Sequence, residues 1–243
     1  MNSTTPFTLP RFYPILDTTV LADRQCPVVD MAKVLLDAGV KILQYRHKED
    51  WTQLNFDEAK HLAALCQEAG VLFVLNDRAD FAKLLKAALH LGQEDISPTA
   101  ARAIVSDEVI GYSTHNAMQL KLGDTEPIEY LSIGPIFATT SKLRPDPVVG
   151  IDGLKALRVL TKKPICAIGG ITLSNAAEVF AAKADSVAVI SGFQPDRANI
   201  RDWLALLGGH SWLRGGFPAA SRRDLKHAPA PQTDADTSPS ASP

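Results

Sequence analysis

The chain has 243 residues, of which 46% are hydrophobic and 21% are charged, and its 25 basic and 27 acidic side chains leave a net charge of −2. This balance gives no support for nucleic-acid binding, which usually needs a basic excess. The three cysteines lie far apart without a metal-binding pair, so we expect a reducing, cytoplasmic location. The sequence has no apolar run close to the roughly 18 residues that a membrane span needs, and it has no signal-peptide core. We therefore expect neither a membrane protein nor a secreted one.

The two ends of the chain differ in composition from its middle. Residues 1–10 look loose, and residues 215–243 contain five of the 16 prolines and, after Phe217, only one large aliphatic residue, Leu225. Such a segment cannot bury enough apolar surface to offset the entropy of ordering it. We therefore expect a single folded domain over residues 11–210, followed by a disordered tail.

In the middle of the chain, short apolar runs alternate with helical patterns. Each run has four or five residues and does not alternate cleanly between polar and apolar, as is typical of strands buried on both faces of a parallel sheet. Gly39 and Gly70 stand where helix C-caps are expected, just before the second and third runs. The strands are predicted at 12–16, 41–45, 71–75, 88–91, 109–112, 130–134, 164–168 and 186–190, and the helices at 28–38, 53–69, 79–87, 97–105, 116–122, 151–161, 174–182 and 198–207.

Eight strand–helix units in about 195 residues is the number found in a (β/α)8 TIM barrel. An open, doubly wound α/β sheet is the alternative, although such sheets more often stop at five to seven strands. The active sites of TIM barrels lie at the carboxyl ends of the strands. Residues that carry chemistry are therefore expected there.

Charged residues collect at these predicted strand ends. Arg46 and Lys48 follow the second strand and Lys142 follows the sixth, so three cations surround one rim. Asp77 and Asp95 follow the neighbouring third and fourth strands, about 5 Å apart. Two hard oxygen ligands beside phosphate-binding cations suit Mg²⁺, although either aspartate could instead cap the helix after it.

Glycines indicate a second anion site. Gly169 and Gly170 follow the seventh strand, and Ser191 and Gly192 follow the eighth, where TIM barrels often bind phosphate through backbone N–H groups. The pattern predicts two phosphorylated groups in one mouth. His90 lies within a strand and is better explained as a hydrogen-bonded structural residue, and no Ser-His-Asp spacing, dinucleotide motif or P-loop is present.

Together, these segments resemble the thiamine-phosphate synthase family over roughly residues 12–193. The resemblance rests on motifs in the family's order and spacing: Gln44-Tyr45-Arg46-His47-Lys48, Asn76-Asp77-Arg78-Ala79-Asp80, His90-Leu91-Gly92-Gln93-Glu94-Asp95, Gly111-Tyr112-Ser113-Thr114-His115, Gly134-Pro135-Ile136-Phe137 through Lys142, and Ile168-Gly169-Gly170-Ile171.

The resemblance implies a Mg²⁺-dependent transferase of thiamine biosynthesis. It would join 4-amino-2-methyl-5-(diphosphooxymethyl)pyrimidine to 4-methyl-5-(2-phosphooxyethyl)thiazole and release pyrophosphate. In that family, the matching residues include contacts to the pyrimidine diphosphate (Gln44, Tyr45, Arg46, His47, Lys48, Asn76, Ser113, Lys142), contacts to the thiazole phosphate (Thr139, Thr140, Ser141, Gly170, Ile190, Ser191) and Mg²⁺ ligands (Asp77, Asp95). Arg46, Lys48, Ser113 and Lys142 are the expected catalytic residues. The partners would be small phosphorylated molecules, and the sequence leaves homo-oligomer formation open.

The chain also departs from the family pattern. His47 replaces a usual acidic residue and Ser141 a common threonine, whereas Lys86 and Lys183 stand at turns that usually carry glycine. We expect the two lysines to affect stability rather than chemistry. Two rival functions are a thiazole tautomerase, whose branch tends to lack Lys48 and both aspartates, and a catalytically silent phosphate-binding regulator.

Overall fold

Eight parallel strands close into one barrel in the computed structural model, which describes residues 7–139 and 146–207. The strands are β1 (Phe12–Asp17), β2 (Ile42–Arg46), β3 (Leu72–Asn76), β4 (Ala88–Leu91), β5 (Ile110–Thr114), β6 (Tyr130–Ile133), β7 (Ile165–Ile168) and β8 (Ser186–Val189). Each pairs with the next, and β8 pairs with β1 through Phe12 opposite Val187. The predicted TIM barrel is confirmed, and the open sheet is excluded.

Nine helices connect or flank these strands in the described part of the chain. They are α1 (Thr18–Asp23), α2 (Val28–Ala38), α3 (Gln53–Ala69), α4 (Ala79–Leu85), α5 (Pro98–Arg102), α6 (Ala117–Thr125), α7 (Gly150–Arg158), α8 (Ala176–Ala181) and α9 (Arg197–Leu207). Each predicted helix appears within a few residues of its expected bounds. The six-residue helix α1 was not predicted, because it is too short to show a helical period.

The buried residues form two layers, since successive side chains of a strand point to opposite faces. A smaller cluster fills the barrel interior and includes Tyr13, Ile42, Val74 and Tyr130. A larger cluster lies between the strands and the surrounding helices, and there Trp203 of α9 stacks on Phe12 of β1 at 5.2 Å between ring centroids.

The ends of the chain are only partly described. Phe7 stacks on Tyr130 and Leu9 is buried, so packing begins before residue 11. Residues 1–6 and 208–243 lie outside the described residues, and the predicted tail therefore stays a prediction. No helix in the described ranges is long and apolar enough to cross a membrane.

Four helix–strand turns use left-handed backbone. The glycines at C-cap positions 39 and 70 have φ values of +94° and +64°, as predicted. Lys86 and Lys183 have φ values of +51° and +70° at turns after α4 and α8. A residue with a Cβ atom is sterically strained there, because only glycine adopts the left-handed region without a steric penalty.

We expect Lys183→Gly to stabilise the protein by about 0.5–1 kcal/mol, because relief of the strained turn outweighs the added freedom of the unfolded chain. Lys162→Gly is the matched control, since Lys162 is also exposed between a helix and a strand but has no positive φ. Urea unfolding measures both variants. An unchanged or lower unfolding free energy for Lys183→Gly would contradict the assignment of strain to this turn.

Candidate active site

Strand β2 aims alternate residues at the carboxyl-end rim, here called the mouth. Gln44 and Arg46 face the barrel interior and the mouth, whereas Tyr45 lies in the outer layer, where its hydroxyl donates to Glu58 Oε2 at 2.9 Å. Tyr45 was predicted to contact the pyrimidine diphosphate together with the rest of its segment. Its side chain points away from the mouth, and the predicted contact stays a prediction. The motif identified the segment, but it did not show which of its side chains point into the barrel and which point outward.

His47 follows the same outward phase as Tyr45. Its Nδ1 atom lies 2.8 Å from the hydroxyl of Thr18 in α1, and its ring packs edge-on against Trp51. The histidine thus joins the β2 loop to α1. Of the charged residues in this motif, Arg46 and Lys48 are the two cations that lie at the mouth.

Arg46 forms an ion pair with Asp17, a residue that the motif analysis missed. The two are aligned in the register of β1 and β2, and Asp17 is only 3% exposed. Its other carboxylate oxygen accepts from the Val20 N–H at 3.0 Å and so caps α1. Asp17 therefore holds the Arg46 guanidinium in place. The signal in the sequence was an acidic residue at the end of β1, matching the polar ends of the other strands.

Lys48 forms an ion pair with Asp77, which follows β3. Asp95, which follows β4, lies near enough to Asp77 to affect its pKa. Burial, and then the contact with Asp95, raises the pKa of Asp77 from 3.8 to about 6, although the Lys48 ammonium opposes this shift. Two acidic groups are thus close together in a partly buried position, and their role as metal ligands stays a prediction.

Neither aspartate has the helix-capping role that was the alternative. Arg78 is the N-cap of α4 and Ser97 caps α5 through its side chain. Asp95 instead accepts from the Gly92 N–H at 2.6 Å within its own loop. The two carboxylates are thus held at the mouth without a helix terminus to stabilise.

The carboxylate pair fits a divalent cation. Two crowded hard oxygen donors, one with a raised pKa, are relieved when a cation lies between them. No third acidic, histidine or cysteine side chain joins them within the described ranges. Asp77 and Asp95 could hold Mg²⁺, which prefers hard oxygen ligands and would supply positive charge to a phosphorylated group.

Asn76 and Ser113 complete this side of the mouth. Asn76 is 5% exposed and ends β3, and its amide Nδ2 has no hydrogen-bond partner among the described residues. Buried donors are nearly always satisfied, so an unsatisfied one at a strand end indicates an acceptor on a ligand. The Ser113 hydroxyl on β5 lies 2.9 Å from Nε2 of His90, which confirms the hydrogen-bonded role predicted for that histidine.

The loops after β6, β7 and β8 form a tight backbone cradle on the other side. A Cβ atom added at Gly170 would come closer than 3.0 Å to Ala138 and Phe137, and one at Gly192 would do so to Ile171. Phe137 also donates its N–H to the Gly169 carbonyl at 3.0 Å. The glycines are thus required by close approach of three loops, which the doublet alone did not establish.

Three of the residues predicted for the thiazole phosphate border this cradle. Gly170 is part of it, Thr139 follows the Ala138 carbonyl that contacts Gly170, and Ser191 precedes Gly192. Ile190 lies directly after β8 and packs against the interior cluster. Thr140, Ser141 and Lys142 lie outside the described residues, so their predicted roles stay predictions.

Arg24 is a second residue that the sequence did not reveal. It follows α1, and its guanidinium donates to the carbonyls of Ser191 at 2.6 Å and Phe193 at 2.9 Å. These bonds tie the loop after β8 to the end of α1. A lone arginine in a helical turn gives no sequence signal, because its partners lie 167 and 169 residues away.

Comparison with known proteins shows the family of this chain. A TIM barrel with a carboxylate pair, cations and a glycine cradle at one mouth has the architecture of an enzyme. The sequence model described as thiamine monophosphate synthase matches residues 12–193. This chain therefore belongs to the thiamine monophosphate synthase family.

Individual relatives cover most of the chain. A thiamine-phosphate synthase of Koribacter versatilis is 45% identical over 82% of this chain and 96% of its own length. One of Chloroflexus aurantiacus is 37% identical over 74% and 83%. Among solved structures, thiamine phosphate pyrophosphorylase from Pyrococcus furiosus matches with a TM-score of 0.72 and 29% identity over 81% of this chain and 95% of that one.

We expect Asp77→Asn to stabilise the folded protein at pH 8 when no divalent cation is present. The raised pKa means that Asp77 favours folding when protonated, and this contribution is lost as the pH rises through about 6. Asparagine stays neutral and tolerates the φ of +65° at this position. The gain in melting temperature over the wild type should shrink as the pH falls from 6 to 4.

Asp80→Asn is the matched control for this measurement. Hydrogen bonds from Arg78 hold the pKa of Asp80 below its ordinary value. Removing the Asp80 carboxylate should therefore not stabilise the protein at pH 8. Thermal unfolding followed by circular dichroism compares the two variants across pH. A destabilised Asp77→Asn protein at pH 8 would refute the assignment of repulsion to the carboxylate pair.

Proposed function

We propose that the protein is a thiamine-phosphate synthase, which joins 4-amino-2-methyl-5-(diphosphooxymethyl)pyrimidine to 4-methyl-5-(2-phosphooxyethyl)thiazole and releases pyrophosphate. Family membership and relatives of that name over most of the chain support the formation of thiamine phosphate. The observation that carries the proposal is that the Asp77–Asp95 pair with Lys48 and a separate glycine cradle face the same mouth. Two phosphorylated substrates require two such anion sites.

The pyrimidine diphosphate would bind on the side formed by β2 to β5. Arg46, oriented by Asp17, and Lys48 would neutralise diphosphate oxygens. The Asn76 amide, which has no partner among the described residues, would donate to the same substrate. Lys142 is proposed to complete this set of cations. Charge-assisted bonds of this kind hold a phosphorylated group more firmly than neutral ones.

We further propose that the enzyme needs Mg²⁺, held by Asp77 and Asp95. Bound there, the ion would supply positive charge to the diphosphate leaving group. The fit rests on the crowded oxygen donors and on the raised pKa of Asp77. Lys48 is a neighbour of the same carboxylate, so it would move between the aspartate and the substrate as ligands arrive.

The reaction needs charge stabilisation more than proton transfer. The bond between the pyrimidine methylene carbon and the diphosphate oxygen breaks with its electron pair on oxygen, and the thiazole nitrogen forms the new bond to that carbon. Arg46 and Lys48 would offset the negative charge that grows on the departing oxygen. A strong general base is unnecessary, since the attacking nitrogen carries no proton.

We also propose a cytoplasmic location. Cys26, Cys66 and Cys166 are all free thiols. Burial raises the pKa of both Cys66 and Cys166 to about 12, so these two thiols are inert. Free cysteines persist most readily in a reducing compartment.

The purified wild-type protein, mixed with both substrates and MgCl₂, should form thiamine phosphate and pyrophosphate in equal amounts. Asp77→Ala and Lys142→Ala should each lose about 100-fold in kcat, because each removes charge that offsets the developing negative charge. Asp107→Ala at the opposite, amino-terminal end of the barrel is the matched control and should keep wild-type activity. Near-normal product formation by either active-site variant would remove that residue from the proposed machinery.

The requirement for metal is tested in the same assay. EDTA should abolish turnover and excess MgCl₂ should restore it, and Asp95→Asn should require a higher MgCl₂ concentration for half-maximal rate. Full activity in EDTA would overturn the Mg²⁺ proposal while leaving thiamine phosphate formation intact. Without product under any metal condition, the tautomerase and the silent regulator would become the better explanations.

Arg24→Ala should raise the KM for the thiazole phosphate about tenfold, equivalent to ~1.4 kcal/mol, and leave the KM for the pyrimidine diphosphate unchanged. The reason is that its two bonds hold the loop beside the cradle. Arg102→Ala is the control, because Arg102 also donates to backbone carbonyls, those of Glu108 and Pro127, but at the amino-terminal end of the barrel. Equal effects on the two KM values would contradict a local role for Arg24.

A further inference from the structure

A chain of hydrogen bonds crosses the barrel interior below the mouth. Gln44 Nε2 donates to the Tyr13 hydroxyl at 2.8 Å, which lies 2.9 Å from the Tyr130 hydroxyl. That oxygen lies 3.0 Å from Nδ1 of His90, whose Nε2 lies 2.9 Å from the Ser113 hydroxyl. The chain thus joins β2, β1, β6, β4 and β5, and connects two residues assigned to the pyrimidine diphosphate.

The two tyrosines at its centre are sealed from solvent. Tyr13 is 1% exposed and Tyr130 is fully buried, and burial raises the pKa of each phenol well above its usual range. Each phenol therefore keeps its one proton. Gly111 makes room for the Tyr130 ring, because a Cβ atom there would clash with it. The His90 ring stacks on the Tyr130 ring at 5.6 Å between centroids.

The number of protons fixes the direction of the chain. Because Gln44 donates to the Tyr13 oxygen, the Tyr13 proton must go to Tyr130; the reverse would bury that proton without an acceptor among the described residues. Tyr130 then donates its own hydroxyl proton to Nδ1 of His90.

The same count decides the form of the histidine. Nδ1 accepts, so a neutral His90 carries its proton on Nε2 and donates it to the Ser113 oxygen. An imidazolium would place a second donor on Tyr130 and bury the phenol proton without a partner. The hydroxyl proton of Ser113 therefore has no acceptor among the groups of this chain of hydrogen bonds and is free to be donated at the mouth.

We propose that Tyr13 and Tyr130 are positioning residues, which hold His90 in its Nε2–H form so that Ser113 offers its proton at the mouth. The identity of the acceptor rests on the proposed function, in which it is a diphosphate oxygen of the pyrimidine substrate. Ser113 ends the chain at β5 on the side of the carboxylate pair. Two residues far from the substrate thereby decide whether Ser113 donates or accepts.

Tyr130→Phe tests this assignment because it keeps the ring and removes one hydroxyl. His90 Nδ1 then loses its donor, so the Tyr130 hydroxyl no longer excludes the form with a proton on Nδ1. In that form Nε2 accepts the Ser113 proton, which is no longer available at the mouth. The fold should persist, since the aromatic contacts with Phe7 and His90 remain.

Nitrogen-15 NMR of histidine-labelled full-length protein at pH 8, without substrate, reads the tautomer directly. The His90 signals are assigned by their loss in His90→Gln. We expect a pyrrole-type Nε2 and a pyridine-type Nδ1 in the wild type, and a shift toward protonated Nδ1 in Tyr130→Phe. A pyrrole-type Nδ1 in the wild type overturns the proposal, whatever the enzyme's activity proves to be.

Steady-state kinetics gives the functional readout. Tyr130→Phe should lower kcat about tenfold, and Tyr13→Phe should lower it in the same direction by less, with the KM for the thiazole phosphate unchanged. Tyr112→Phe is the matched control, because Tyr112 on β5 faces the outer layer. Wild-type kcat in Tyr130→Phe, with its fold intact by circular dichroism, would overturn the role in positioning. Inactivity of the wild type would instead count against the proposed function alone.

Discussion

The parallel closure of the barrel is the constraint on which the site depends. Because all eight strands run in one direction and β8 pairs with β1, every strand ends at the same rim. Residues separated by 29 positions, such as Asp17 and Arg46 or Lys48 and Asp77, meet there as neighbours. Closure also fixes the inward phase of each strand, which decides that Arg46 faces the mouth and Tyr45 does not.

Closure brings the like charges of Asp77 and Asp95 together at a cost in stability. The Asp77–Asp95 pair raises the pKa of Asp77, and Arg46 and Lys48 are partly neutralised by aspartates before any substrate arrives. Polar groups in this arrangement are poorly satisfied in the free protein, as the unpartnered Asn76 amide also shows within the described residues. Binding sites are commonly less stable than the scaffold around them for this reason.

The sequence predicted the barrel, the order of its elements and most of the rim, because each of these depends on local patterns. The sequence itself shows eight short apolar runs and the polar residues that follow them, such as Asp77 and Asp95. Asp17, Arg24 and the bonds between Tyr13 and Tyr130 were missed, because each depends on partners more than 25 residues away. Side-chain phase was missed for Tyr45, since buried strands show no alternation from which to determine it.

The glycine cradle has a consequence for how this site can change over evolution. On the β2–β5 side, side chains make the contacts, so single substitutions can alter charge and reach. On the β6–β8 side, backbone meets backbone at Gly170 and Gly192 with no room for a Cβ atom. New ligand preferences can therefore arise by exchange of side chains around the mouth, whereas the cradle glycines can change only if the loops around them are rebuilt.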